Sequence, residues 1–334
     1  MVAFATSSLG FEICRDPDPV GWDEALVTIP GGHALQTWEW GEAKRSVGET
    51  VERFLISRAG NPVLLAQVFQ KRVSALKLKT AWIPRGPVIS PSLHATAAVK
   101  LFKGALAADG YRLAIAKPYQ RSGVGFGWSV PCKHELTFVL DLSQPLSVLE
   151  GNLDRGWRHG RNKFGRQGGI VVEDTAYDAI EPIIRMYAAM GERKKFNPYG
   201  DAELTRAMWH EFRNSKAPSV STHLLRAEVN GRWAGGMLVV RLGKSAYPMR
   251  FGFDYELRNT RVSEGLFWDA IRRMHELGAD YFDLEGVNPK KNPGVYEFKR
   301  KMGGTLVKLP RFEVTVPTGS LASQAARQRR KEAR

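Results

Sequence analysis

Phe54-Leu55-Ile56-Ser57-Arg58-Ala59-Gly60-Asn61-Pro62-Val63-Leu64-Leu65-Ala66-Gln67-Val68-Phe69 reads as an apolar run, a tight turn around Gly60-Asn61-Pro62, and a second apolar run. The pattern returns about 170 positions later as Leu224-Leu225-Arg226-Ala227-Glu228-Val229, the dipeptide Asn230-Gly231, and the run from Arg232 to Val240. Asn-Gly between apolar runs is the strongest short-range signal for a type I′ hairpin. After each hairpin come a short strand, an amphipathic helix ending near a glycine, another strand and a proline. The first tail is Ala108-Asp109-Gly110-Tyr111-Arg112-Leu113-Ala114-Ile115-Ala116-Lys117-Pro118. The second is Leu277-Gly278-Ala279-Asp280-Tyr281-Phe282-Asp283-Leu284-Glu285-Gly286-Val287-Asn288-Pro289. Such a repeat predicts two domains of similar shape with a cleft between them. Identity between the copies is low, so chance likeness of two α/β segments is the competing explanation.

A chain of 334 residues, 43% hydrophobic and 25% charged, has room for two cores. No apolar stretch reaches the roughly 20 residues of a membrane helix, and Met1 to Phe11 lacks a secretory pattern, so no stable membrane insertion is expected. Cys14 and Cys132 have no metal or redox spacing, which fits a reducing cytoplasm and ordinary buried thiols. The 49 Lys and Arg exceed the 34 Asp and Glu by 15. That excess fits a polyanionic partner or plain solubility. Five basic residues and His159, without one acid, lie between Arg155 and Arg166. Lys290, Lys291, Lys299, Arg300 and Lys301 bracket one loop, and Arg327 to Arg334 is a basic, frayed or helical end.

The spacing predicts helices opening at Trp38, running from Pro91 to Ala108, capped by Asp178, and capped by Ser263 with Gly278 as the stop. Ala81 to Val88 reads as a strand broken by Pro and Gly, Glu135 to Leu142 as a strand, and Asp141-Leu142-Ser143 as the cap of a helix into the basic cluster. Asn292-Pro293 reads as an N-cap with Pro at the first helical position, and a last strand is expected near Arg311 to Val316. The expected fold class is α/β (α+β) with mixed, largely antiparallel sheets flanked by helices.

No pair of histidines has metal-ligand spacing, and neither a nucleophile elbow nor a P-loop is present. Gln120-Arg121-Ser122-Gly123-Val124-Gly125 matches the coenzyme A pyrophosphate loop of GNAT acetyltransferases, but the following residues do not read as a helix, so a plain loop fits too. In Tyr281 to Glu285, period-two alternation puts Asp283 and Glu285 on one face, where they could orient an amine, act as a base, or pair with Lys290 or Lys291. Helical spacing in Pro293 to Gly304 turns Val295, Phe298 and Met302 to the core and leaves Tyr296, Lys299 and Arg300 elsewhere. Lys299 beside an aromatic could stabilise an oxyanion, or simply be solvated.

These residues resemble the Fem (FemABX) family of aminoacyl-tRNA-dependent peptidyltransferases. The resemblance covers most of the chain: Leu35-Gln36-Thr37-Trp38-Glu39-Trp40-Gly41-Glu42-Ala43-Lys44, Pro84-Arg85-Gly86-Pro87-Val88, Asp141-Leu142-Ser143, Arg161-Asn162-Lys163 with Gly168 to Val172, and Tyr281-Phe282-Asp283 leading to Tyr296-Glu297-Phe298-Lys299 and Met302-Gly303-Gly304. It implies two GNAT-like domains, residues 1–150 with a returning segment 311–334 and residues 151–310, in the short form without a coiled-coil arm. It implies transfer of an amino acid from charged tRNA to an amine of a peptidoglycan precursor, without coenzyme A or another cofactor, by a cytoplasmic monomer. Lys299 with Phe298 would then attend the ester, and Lys44 and Arg193 would hold the precursor's phosphates. Trp40, Arg85, Tyr119, Asp283, Glu285 and Tyr296 would line the substrate, and Arg158, Arg161, Lys163, Lys290, Lys291, Arg300 and Lys301 would face tRNA. Ala116-Lys117 stands where relatives often carry an acid, so the acceptor could instead be a small amine of antibiotic biosynthesis. An acyl-CoA-dependent N-acyltransferase and a non-catalytic basic RNA-binding protein are the rival readings.

Overall fold

Each apolar repeat folds as a central hairpin of its own sheet in the computed structural model, which describes residues 4–6, 10–15, 17–73, 78–131, 133, 135–194 and 202–318. Two compact units result, Met1–His134 with Leu309–Arg334, and Glu135–Lys308. Cys132 and the basic end Arg327 to Arg334 lie outside the described residues.

The first unit runs β1 (Phe4–Thr6), β2 (Phe11–Arg15), α1 (Pro19–Thr28), α2 (Trp38–Ser46), β3 (Val51–Arg58), β4 (Asn61–Val73), β5 (Leu78–Pro84), β6 (Val88–Ile89), α3 (Ala95–Ala108), β7 (Leu113–Lys117) and β8 (Trp128–Ser129). The second runs β9 (Leu136–Asp141), α4 (Leu146–Asn152), α5 (Arg155–Arg166), β10 (Gly169–Glu173), α6 (Ile180–Lys194), α7 (Ala202–Arg213), β11 (Val220–Val229), β12 (Arg232–Leu242), β13 (Ser245–Phe253), α8 (Val262–Glu276), β14 (Tyr281–Val287), α9 (Pro293–Arg300) and β15 (Thr305–Lys308). A last strand, β16 (Glu313–Thr315), pairs with β7 and β8 in the first sheet.

The strand orders are β1-β2-β3-β4-β5-β7-β16-β8, with β6 beside β4, and β10-β11-β12-β13-β14-β9-β15. All pairings are antiparallel except β5 with β7 and β13 with β14. Those two are the parallel pairs that a crossover helix requires, α3 in one unit and α8 in the other. The repeated strand–helix–strand tail is therefore the same supersecondary unit twice. β9 and the start of α4 lie before residue 150, the expected domain boundary, yet belong to the second unit, where β9 is hydrogen-bonded between β14 and β15.

Local chemistry moved several expected boundaries. The first turn sits at Ala59-Gly60, both with positive φ, one residue before the expected Gly60-Asn61-Pro62, and Pro62 falls in β4 at a register shift. Asn230 and Gly231 have positive φ, as a type I′ turn demands. Ser263 lies inside α8, whose N-cap is Arg261 in the left-handed region, and Asp178 sits in a 3₁₀ turn ahead of α6. Asp141 caps no helix: it accepts from Ser143 N at 3.0 Å and Ser143 Oγ at 2.6 Å, and Asp154 caps α5. Asn292 caps α9 through Val295 N, with Pro293 opening the helix.

The core of the first unit gathers Phe54, Ile56, Leu64, Phe102 and Leu106, and that of the second Leu225, Met237, Leu266, Ile271 and Phe282. A polar knot explains the Gln36 to Gly41 stretch. The Gln36 amide donates to Pro84 O at 2.6 Å and accepts from Gln67 N at 2.7 Å, tying the chain to two strands. A Cβ at Gly41 would stand 2.1 Å from Gln67 Oε1 and 2.2 Å from an Arg53 guanidinium nitrogen, so any larger residue must displace the knot.

Candidate active site

Strands β13 and β14 start side by side and then part. They pair only at Ser245 with Tyr281 and Ala246 with Phe282, whereas β5 and β7 pair over five successive positions. Two irregularities drive the strands of the second unit apart. Met249 is an extra residue opposite β12, since Leu238 faces Arg250 and Val239 faces Pro248. β14 carries one more residue than β9 between Asp283 and Gly286, and Glu285 there has φ +62°. Bulges of this kind re-aim side chains and end pairing.

The parted strands border a cavity of about 580 Å³ within the second unit. Its wall includes Met190, Met249, Phe251, Phe253, Phe267 and Phe298, with Lys299, Glu285 and Arg250 as the charged members. Packing fixes this wall: Phe298 lies 5.5 Å from Phe267 and 6.0 Å from Trp157, ring centre to ring centre. The Arg250 guanidinium donates to Thr205 Oγ1 at 3.0 Å and to Met249 O at 2.8 Å.

Lys299 is the chemically distinctive group. The last turn of α9 projects it toward the widened end of β14, where Nζ donates to Glu285 O at 3.1 Å and Gly286 O at 3.3 Å. Those carbonyls lie at the bulge. The side chain keeps partial exposure, yet its ammonium is crowded by protein atoms. Burial lowers its pKa from 10.5 to about 8, against the opposing pull of the Glu285 and Asp283 carboxylates. A cation held by two carbonyls at a cavity wall can meet negative charge that develops there.

The other candidates separate into groups. Asp283 is buried, accepts from Thr137 Oγ1 and from Glu285 N, and does not line the cavity. The alternation expected for Asp283 and Glu285 fails at the bulge, and no Asp283 or Glu285 pair with Lys290 or Lys291 occurs among the described ion pairs. Lys290 and Lys291 are exposed, with their amides donating to Asn288 Oδ1. Tyr296 turns toward the core, 5.3 Å from Phe138, while Val295 lines the cavity, the reverse of the expected faces. Arg193, exposed on α6, stacks 3.6 Å over Tyr255.

In the first unit, Lys44 Nζ lies 3.3 Å from Glu49 and 6.0 Å from the buried Trp40 ring. Arg85 is buried 5.8 Å from the ring of Tyr119, and both line a small hollow of about 40 Å³ beside Gln120. On α5, Trp157 and Phe164 face inward, and Arg158 and Lys163 are partly exposed. Arg161 pairs with Glu150 at 2.6 Å and lies 4.9 Å over Trp268. Arg300 is exposed and paired with Glu297 at 2.8 Å, and Lys301 is partly exposed.

The segment Gln120 to Gly127 forms no helix. The Glu313 carboxylate of β16 already accepts from Phe126 N at 2.5 Å and Gly127 N at 3.1 Å. Sequence reasoning missed Glu313, Arg250 and most of the apolar wall. The period-two run Met249, Phe251, Phe253 carried a signal for that wall.

Residues 152–300, the stretch holding this cavity, match the family model described as an acetyltransferase (GNAT) domain. No curated protein matches the sequence. The crystal structure of FemX matches over 90% of this chain and 97% of its own, with a TM-score of 0.77 at 15% identity. The fold is the tandem GNAT fold seen in FemX. The C-terminal domain of a putative lysylphosphatidylglycerol synthetase from Agrobacterium fabrum matches over 94% of this chain and 97% of its own, with a TM-score of 0.56 at 16% identity. A tandem GNAT protein from the clavulanic acid biosynthesis pathway matches over 93% and 99%, with a TM-score of 0.54 at 13% identity. Among the described residues no helix is long and apolar enough to cross a membrane.

Proposed function

We propose that this chain is a cytoplasmic, tRNA-dependent N-aminoacyltransferase. The aminoacyl ester at the 3′ end of a charged tRNA is the donor, and an amine of a peptidoglycan precursor is the acceptor. The amine attacks the ester carbonyl, a C–N bond forms, the C–O bond to ribose breaks, and the terminal adenosine leaves with its hydroxyl restored. The oxyanion of the tetrahedral intermediate is met by the Lys299 ammonium. The observation that carries this reading is that ammonium, held by two main-chain carbonyls where β13 and β14 part beside a cavity of about 580 Å³.

Two further features support the donor. The net charge of +15 suits an RNA, whose phosphates dominate binding. Arg158, Arg161 and Lys163 on α5, with Lys290, Lys291, Arg300 and Lys301, supply cations around the elements that carry the cavity. The amides of Phe126 and Gly127 are taken by Glu313, which disfavours coenzyme A pyrophosphate on that loop. Lys44 and Arg193 are the proposed phosphate ligands, with Lys44 shared between a phosphate and Glu49. Trp40, Arg85 and Tyr119 would support the acceptor's side.

The test is incubation with total charged tRNA and a nucleotide-linked stem peptide or small amines, with products read by mass. An acceptor heavier by one aminoacyl residue is expected, and transfer that survives ribonuclease digestion of the donor overturns the proposal.

A further inference from the structure

The cavity wall identifies the kind of residue that the donor carries. We propose that the cavity receives the side chain of a bulky apolar aminoacyl group. This inference rests on the reading that Lys299 attends the donor ester. Six wall residues are methionine or phenylalanine: Met190, Met249, Phe251, Phe253, Phe267 and Phe298. Methionine wraps irregular apolar shapes, and aromatic rings offer broad flat contact. Two of the three charged wall residues are tied to protein atoms: the Lys299 ammonium donates to Glu285 O and Gly286 O, and the Arg250 guanidinium to Thr205 Oγ1 and Met249 O. A cavity of about 580 Å³ would be left mostly to water by a glycyl or alanyl group. An aromatic or branched aliphatic side chain would exchange that water for apolar contact, about fourfold in affinity for each methylene buried.

The carbonyl that Lys299 meets and the side chain that fills the cavity belong to one residue, so a single donor satisfies both. The apolar wall then ranks donors, and Lys299 meets the same developing oxyanion in all of them.

The experiment uses the full chain and 3′-aminoacylamido-3′-deoxyadenosines, stable mimics of the charged tRNA end, carrying phenylalanyl, leucyl, glycyl or glutamyl groups. Binding is measured by calorimetry for the native protein and for Met190→Glu, with Phe253→Ser as the second variant should the first not fold. Phenylalanyl and leucyl mimics are expected to bind at least tenfold tighter than glycyl and glutamyl ones, and the variant is expected to abolish that ranking. Equal affinities, a preference for the glycyl or glutamyl mimic, no binding of any mimic, or a ranking unchanged in the variant each overturn the inference. Failure of the proposed function reads differently: the apolar ranking holds, yet charged tRNA yields no amide with any acceptor.

Discussion

Raising the pH from 7 to 9 should disable Lys299 without disturbing the fold. Its pKa is lowered to about 8, chiefly by burial. The ammonium is therefore about 90% populated at pH 7 and about 10% at pH 9. If the charged form meets the developing oxyanion, its contribution falls about ninefold to tenfold over that interval. The acceptor amine gains its free base over the same range, so the raw rate combines two opposing trends. Single-turnover amide formation should therefore be measured as the ratio of native protein to Lys299→Arg at each pH, because arginine stays charged throughout and the acceptor's titration cancels. The ratio is expected to drop about tenfold around pH 8. Stability moves the other way: between about 8 and 10.5 the folded chain binds fewer protons at this site than the unfolded chain, so this group adds stability as pH rises. Unfolding therefore does not imitate the effect. A ratio that stays flat from pH 7 to 9 refutes the assignment of Lys299 to charge stabilisation and leaves it as a clamp on the bulge carbonyls.

Three other outcomes test the account. Burial, and then Glu39, raise the Asp23 pKa well above 3.8, so the stability linked to its protonated form is complete below 3.8 and is lost as pH rises through the folded value. Asp23→Asn should flatten that slope in denaturant titrations at pH 4 and 7, and parallel curves would contradict the raised value. Gly41→Ala should cost about 1–3 kcal/mol by overpacking against Gln67 and Arg53, read from the denaturation midpoint, and an unchanged midpoint would mean the knot yields easily. Arg158→Glu with Lys163→Glu should weaken tRNA binding and reduce its salt dependence while the melting temperature holds, and unchanged binding would remove α5 from the RNA surface.

The parts of this fold legible in the sequence are those set by neighbours in the chain. Asn230-Gly231 specified its turn because few residues accept two successive positive φ angles, and Asn292-Pro293 specified the start of α9 through a side-chain cap and a fixed φ. The duplicated tails were readable because a crossover helix between parallel strands imposes the same order of periodicities in both units. The cavity was less legible. It depends on where β13 loses register against β12 and β14 against β9, and registers are set by partners more than a hundred residues away in the case of β9. The bulge took Asp283 off its expected face and put its carboxylate against Thr137. Lys299 could be singled out beside Phe298, but its lowered pKa comes from burial that only the folded chain creates. Glu313 escaped notice because its amide partners are nearly two hundred residues earlier.

The most direct measurement is single-turnover transfer from charged tRNA to an amine acceptor by the native chain and by Lys299→Ala, with both melting temperatures recorded. The account predicts amide formation by the native chain, a loss of at least about tenfold in the variant, in line with one lost charge-assisted contact of about 1.5–3 kcal/mol, and closely similar melting temperatures. Equal rates in the two proteins, or a variant whose fold collapses along with its activity, would contradict it.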